Sequence, residues 1–468
     1  MLSRWTTTGL LVALVFALAP AAASAQGAPA NPYRPNTADE DWTFLKDAKK
    51  KTDWWDPVKY IALGPEDWSL TLSGEIRFRP EGLRIRETAA RAGTIDSYLL
   101  QRYLAGADVR FGPRVRVFAE MQSGIITGQL RTPRPTDRNS LDLHQAFFEI
   151  RQPLRNKREV RLTAGRQEME IGSTRLISAS PGLNVKRSFD GGSAGYRTSS
   201  WSVVGAVAKL VDLRSGAFDD RPSSGQLFWG VAAGRPATVP RLGRSEVGAY
   251  YLGLDTDHAA FVQGTGHETR HTIGLRWNGT GRLELNHDLI FQWGNFAGAP
   301  IRAWGYAAET ADRASSIPWR PRVSLRFDIA SGDGDAAQPA LQSFNPLFPG
   351  NSYSGAVGLF GPTNLTDVNV AVTVTPRRGL VLGVEAPSYW RTSDRDGVYG
   401  TDLTVLIGPG AGRGQYVGTN PGVVVVWQAT RHLQVTGAVT RFLSGEFLSQ
   451  TFVAEGFGFY SITTRYRF

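Results

Sequence analysis

The sequence predicts an all-β fold, a transmembrane antiparallel β-barrel, from three observations. It has long stretches of alternating apolar and polar residues, an N-terminal secretory leader, and no later apolar run long enough for a membrane helix. The alternation is the most informative of these. In GRLELNHDLIFQW, Leu283, Leu285, His287, Leu289, Phe291 and Trp293 share one face, and Arg282, Glu284, Asn286, Asp288, Ile290 and Gln292 share the other. Successive strand side chains point to opposite sides, so one face is apolar and the other nearly all polar. RVSLRFDI repeats the pattern, with Val323, Leu325, Phe327 and Ile329 opposite Arg322, Ser324, Arg326 and Asp328. A soluble β-sandwich also alternates, but these polar faces carry both signs of charge at high density, which suits a water-filled interior behind a lipid-facing wall.

Taken in chain order, Arg4 precedes an apolar run from Leu10 to Ala19, and Ala23-Ser24-Ala25 offers the small residues a signal peptidase reads. Residues 1–25 are therefore expected to be a signal peptide, and 26–67 an N-terminal periplasmic segment too short for a folded plug domain. The barrel is expected over 68–468, opening with LTLSGEIRFR, where Leu70, Leu72, Gly74, Ile76 and Phe78 oppose Thr71, Ser73, Glu75, Arg77 and Arg79. Further strand candidates run over Leu104 to Phe111, Arg114 to Met121, His144 to Arg151, Thr272 to Trp277, Val368 to Thr375 and Leu433 to Arg441. The Gly-containing stretches 212–245 and 331–366 are expected to be long loops, either lids or extracellular decoration. The chain ends FYSITTRYRF, with Tyr460, Ile462, Thr464, Tyr466 and Phe468 on one face and Arg465 and Arg467 on the other. Such a last strand must close on the first, because lipid tolerates no unpaired edge. At ~10 residues per strand and ~14 per turn and loop, the length gives roughly 18 strands.

Composition agrees. The 468 residues include 13 Trp, 14 Tyr and 23 Phe, enough for an apolar wall, and no Cys, which excludes a disulfide framework or a thiolate metal site. The formal net charge is +10. On the polar faces, Arg77, Arg79, Arg116, Arg276, Arg322, Arg326 and Arg465 would attract carboxylates inside low-dielectric walls. Glu75, Glu284 and Asp328 would temper that attraction so that a passing chain slides. Facing strands could equally pair these acids and arginines into a ladder that stiffens the wall.

Several motifs point elsewhere and fail on context. HETRH (267–271) has the spacing of a zinc site, but it runs into the alternating TIGLRW, and positions four apart on a strand stand about 13 Å apart. GPGAGRG (408–414) lacks the Gly-Lys-Ser/Thr ending of a phosphate loop. SGDGD could lend Asp333 and Asp335 to calcium but lacks the later bidentate Glu, so no cofactor is expected. No catalytic residues are expected, since the six His sit in no Ser/His/Asp context.

Three stretches resemble the alginate export family of outer-membrane porins: WWDPVKYIALGPEDWSLTLSGEIRFRPEG (54–82), AGRQEMEIGSTRLISASPGLNVKRSFDG (164–191) and FNPLFPGNSYSG (344–355). HETRHTIGLRWNG and the terminal strand extend the likeness over essentially the whole mature chain. The resemblance implies a monomeric barrel of 18 strands in the bacterial outer membrane, with a narrow Arg-rich lumen that passes an anionic polysaccharide outward. By matching motif, Arg77 and Arg166 become the leading lumen candidates. Arg166 shares parity with Leu162 and Ala164, so a bulge at Gly165 or a strand end is expected there, because an Arg at mid-lipid costs roughly 2–4 kcal/mol. The alternative is a porin for small anionic solutes such as organic acids or oligosaccharides. Outer-membrane lipid is an expected partner, periplasmic delivery proteins are possible ones, and nucleic acid is not expected.

Overall fold

The computed structural model describes residues 32–468 except 66, 87–91, 240–241, 281–282, 336–337, 351–356, 413 and 452–455; the expected signal peptide lies outside the described residues. Among them, eighteen strands form the wall. The first six are β1 (Trp68–Arg86), β2 (Ala92–Phe111), β3 (Val115–Thr127), β4 (Asn139–Leu154), β5 (Arg158–Gln167) and β6 (Phe189–Arg197). They continue as β7 (Ser202–Asp212), β8 (Gln226–Val239), β9 (Gly243–Phe261), β10 (Gly264–Thr280), β11 (Leu283–Phe296) and β12 (Ala299–Arg313). The last are β13 (Arg322–Ala330), β14 (Leu365–Arg377), β15 (Leu380–Arg391), the interrupted β16 (Tyr416–Thr419 and Gly422–Gln428), β17 (Leu433–Ser444) and β18 (Gly456–Arg467). Each pairs antiparallel with the next, and β18 closes on β1 in the register Glu75↔Arg467 to Ile85↔Phe457. Phe468 completes the seam: its carbonyl accepts from Gly74 N–H at 2.9 Å and its N–H donates to the Gly74 carbonyl at 3.1 Å. Gly74 leaves room for this, since a Cβ there would stand 2.5 Å from the Phe468 ring.

The two faces divide as the alternation predicts. Ile76, Phe78, Phe291, Trp293, Val323, Leu325 and Ile462 are exposed on the outside, whereas Glu75, Arg77, Asp288, Gln292, Ser324 and Arg326 are buried within. An apolar belt of this extent is a lipid-facing surface. The structure corrects one expectation: 212–245 is not a loop, because 226–239 is strand β8. Its sequence, QLFWGVAAGRPATV, hides the strand behind Gly230, Gly234 and Pro236, which blunt the period-two signal.

Connections are short at one end (112–114, 155–157, 198–201) and long at the other (168–188, 331–364, 392–415). Two long ones turn inward. Met169, Leu176, Ile177, Phe344, Leu347 and Phe348 form a buried cluster with Phe189, Phe228, Tyr250 and Leu252 of the wall. The two loops are joined where Ser178 N–H donates to the Phe348 carbonyl at 3.0 Å and Phe348 N–H to the Leu176 carbonyl at 2.8 Å. Part of the inner face is therefore apolar, a departure from the polar lining the alternation suggests, and it is filled by loop side chains rather than water.

The N-terminal segment consists of short helical turns (Thr37–Asp39, Thr43–Lys46, Ala48–Lys50, Asp56–Lys59) at the short-turn end. Tyr33, Trp42 and Leu45 form its own small core. Ala38 reaches farther in and packs on the inward rings of Phe118 and Phe147.

Candidate functional site: the lumen

The three stretches that carry the family resemblance are brought together inside the barrel. Arg77 is 1% exposed, and its guanidinium donates to the carbonyls of Gly182 (3.2 Å) and Leu183 (2.7 Å) and to Asn184 Oδ1 (3.2 Å). Arg79 donates to the Gly182 carbonyl at 2.7 Å and pairs with Glu81 at 2.8 Å. Arg102 bridges Glu75 and the same tip, with Nε at 2.8 Å from Glu75 Oε1 and Nη1 at 2.9 Å from both the Pro181 and Leu183 carbonyls. Arg465 stands 3.6 Å from Glu75. Arg77, Arg79 and Arg102 clamp the tip of the 168–188 loop to β1 and β2, and Arg465 ties Glu75 to β18.

The other expected lumen residues are also engaged. Arg116 donates to Asp108 (2.7 Å) and to the Ala38 carbonyl (2.7 Å), which fixes the N-terminal segment. Arg276 donates to the Gly172 carbonyl at 2.5 Å. Arg322 joins Glu284 (2.6 Å) and Glu309 (3.0 Å), Arg326 reaches Asp367 at 2.9 Å, and Asp328 accepts two bonds from Arg175 at 3.0 Å. The ladder reading therefore accounts for most of the named arginines. Arg166 behaves differently. It lies near the end of β5 on the ladder side of Leu162 and Ala164, after Gly165 at φ +125°, and is held by both Asp190 oxygens at 2.9 and 2.8 Å. Asp190 neutralises its charge there, away from the lumen-facing set.

Other residues with the same role escaped the sequence reading. In HETRH both histidines stand on the outer side: His267 meets Asp255 at 3.3 Å, and His271 Nδ1 meets the Tyr251 hydroxyl at 2.8 Å among Trp229 and Trp293. The intervening Glu268 and Arg270 are fully buried and hold the second loop. Arg270 donates to Gln292 Oε1 at 2.7 Å and to the Ser343 carbonyl at 3.3 Å, while Asn345 donates to Glu268 at 3.0 Å. Strand parity was the available signal, obscured by the more conspicuous His pair. Glu120, His144 and Glu168 converge with metal-like spacing, but Lys186 Nζ already bonds Glu168, and Gln145 and Thr37 bond Glu120. Asp333 of SGDGD is taken up by Gln263 and by Asp335 N–H.

Two spaces remain. One of about 490 Å³ is lined by Asn36, Asp39, Arg161, Glu168, Glu170 and Arg197, between the N-terminal segment, the 168–188 loop and the β5–β7 wall. Burial pushes the Asp39 and Glu170 carboxyls up, with neighbouring acids adding to it. For Glu168 burial acts the same way, but Lys186 and His144 outweigh it and hold the carboxyl below its usual range. The other, of about 330 Å³ at the short-turn end, is lined by Lys46, Arg110, Arg114, Arg116 and Arg151 against the single acid Asp67.

The family model of alginate export matches residues 69–455. Solved structures with the same fold include a BenF-like porin from Pseudomonas fluorescens Pf-5 (TM-score 0.58, 10% identity, 85% of this chain and 98% of that chain). Others are OccK11 (OpdR) of Pseudomonas aeruginosa (TM-score 0.54, 12% identity, 85% and 95%) and OpdK of the same species with vanillate (TM-score 0.53, 11% identity, 85% and 98%). No curated protein matches the chain. With an apolar belt, a closed eighteen-strand wall and a lumen narrowed by two loops, this chain belongs to the alginate export family and is a channel of the bacterial outer membrane.

Proposed function

We propose that the channel passes a carboxylate-bearing polysaccharide outward, entering over the basic pocket at the short-turn end, which short turns mark as periplasmic. That pocket is the observation that carries the reading: four arginines and a lysine line it. Asp67 pairs Lys46, and Asp41, Asp108 and Glu149 pair Arg110, Arg116 and Arg151, whereas Arg114 stands outside the ion pairs of the described residues. Planar guanidinium forks suit carboxylates, and a low-dielectric rim focuses their field. In this reading the chain acts as a monomer after loss of residues 1–25. Within the lumen the paired arginines brace the loops, and at the second space Arg197, with Arg161 only loosely paired to Glu149 at 4.0 Å, is placed to meet substrate.

A porin for small anionic solutes is the second reading, favoured by the small size, about 490 Å³, of the space between the N-terminal segment, the 168–188 loop and the wall. Reversal potentials in planar bilayers, with oligouronate and monouronate added on each side, separate the two. The export reading expects anion selectivity and block that strengthens with oligomer length; block by the monomer alone selects the small-solute porin, and cation selectivity overturns both. Arg114→Glu with Arg151→Gln should lower the anion-to-cation permeability ratio about threefold or more, in line with a focused field.

Acidification gives an independent check. Because Asp39 and Glu170 protonate at higher pH than ordinary carboxyls, their negative charge is lost early as pH falls. Anion selectivity should rise as pH falls, beginning above the range in which ordinary carboxyls protonate. Asp39→Asn with Glu170→Gln should flatten that rise.

A further inference from the structure

At the long-loop end, Asp142 of β4 meets Asp219 and Asp220 of the β7–β8 connection. One carboxylate oxygen from each lies within 4.8 Å of the others. Asp142 and Asp220 are 4% and 6% exposed. No salt bridge reaches any of the three among the described residues, and Arg166, the charge felt by Asp220, is committed to Asp190. Their hydrogen bonds come from neutral donors: the N–H groups of Arg214 (2.6 Å to Asp220), Gly216 (3.2 Å to Asp219), Asp219 (to Asp142) and Asp220 (3.4 Å to Asp142), and the Asn139 amide (2.8 Å to Asp220 Oδ2, and also to Asp142).

Asn139 supplies a second, separate observation. It is completely buried, its amide nitrogen ties it into the cluster, and its Oδ1 has no hydrogen-bond partner. Asp142 Oδ2 and Asp219 Oδ1 are likewise buried without a donor. Buried oxygens without donors are costly unless a cation completes them.

We propose that Asn139, Asp142, Asp219 and Asp220 hold a calcium ion that fastens the 213–225 loop to the outer rim of β4. The ligands are hard oxygens, and oxygens around one calcium at ~2.4 Å stand no more than ~4.8 Å apart. Magnesium needs a tighter octahedron and keeps most of its water. The ion would reinforce the seam where Ser140 N–H meets the Gly216 carbonyl at 3.0 Å and Phe218 N–H meets the Leu141 carbonyl at 2.9 Å. The Glu120–His144–Glu168 group differs because Lys186 supplies its cation.

The test uses the full mature chain refolded in detergent, with calcium chloride, magnesium chloride or chelator, and reads tryptic cleavage after Arg214 together with titration calorimetry. Calcium should slow cleavage about tenfold and bind once per chain with Kd ~0.1–1 mM, the range of extracellular modules. Asp219→Asn should abolish the calcium response and leave conductance unchanged. Cleavage indifferent to calcium, an equal response to magnesium, or a full response in Asp219→Asn overturns the proposal. If that variant does not fold, the wild-type cleavage and stoichiometry decide.

Discussion

Arg102→Ala is expected to release the tip of the 168–188 loop and raise single-channel conductance severalfold, with frequent transitions between levels. Arg102 is 2% exposed and ties Glu75 to two loop carbonyls at 2.9 Å each. Removing one partner of a buried pair costs about 3–5 kcal/mol, mostly for the charge left behind. Glu75 would retain only the Arg465 guanidinium at 3.6 Å. Arg77 and Arg79 still hold Gly182 and Leu183, so the tip should open part of the time rather than leave altogether. Arg102→Lys keeps the charge but loses the fork, and an intermediate conductance is expected. Unchanged conductance in Arg102→Ala, with unchanged protease resistance of 181–184, would show that the tip is held by other means.

The residues of this clamp also show what alternation can and cannot reveal. The outer belt is legible because lipid imposes one rule on every strand, and Val323, Leu325 and Phe291 obey it. The Arg322–Glu284 pair is legible for the same reason, since polar parity puts both inside, whereas Glu309, which joins them, was not singled out. The inner face obeys no single rule. Leu100 and Leu104 share the inward side of β2 with Arg102, so the period is intact while the chemistry is mixed. Loop residues are harder still: Ile177, Leu341 and Phe348 are buried by contacts far away in sequence, and no local period marks them. Arg175, which meets Asp328, lies in such a loop and had no signal.

Deleting Phe468 should cut the yield of folded, heat-modifiable barrel about tenfold or more on gel electrophoresis, with the remainder less stable. The residue contributes two backbone hydrogen bonds to Gly74 and stacks on Trp55 with ring centroids 4.2 Å apart. At about 1 kcal/mol for each bond and 0.5–1.5 kcal/mol for the aromatic pair beyond its burial, the loss is about 3 kcal/mol. It falls on the seam that leaves no edge exposed to lipid. Phe468→Leu keeps the backbone bonds and should recover much of the yield, and Gly74→Val, which crowds the ring, should behave more like the deletion. Wild-type yield from the deletion would mean that β18 closes without its last residue.

The docking of the N-terminal segment has a consequence for the order of assembly. Tyr33 bonds His432 at 2.9 Å across 399 residues, Trp55 Nε1 donates to the Tyr466 hydroxyl at 2.8 Å, and Arg467 donates to the Arg34 carbonyl at 3.0 Å. The earliest described residues thus seat partly on the latest ones, besides their contacts with β2–β4, and contacts of such separation form late because so much chain must first be ordered. Until β17 and β18 are in place, the front of the chain lacks this half of its seat. It is therefore a chronometer of completion: protease sensitivity around residues 33–59 marks an unfinished barrel, and resistance marks a sealed one.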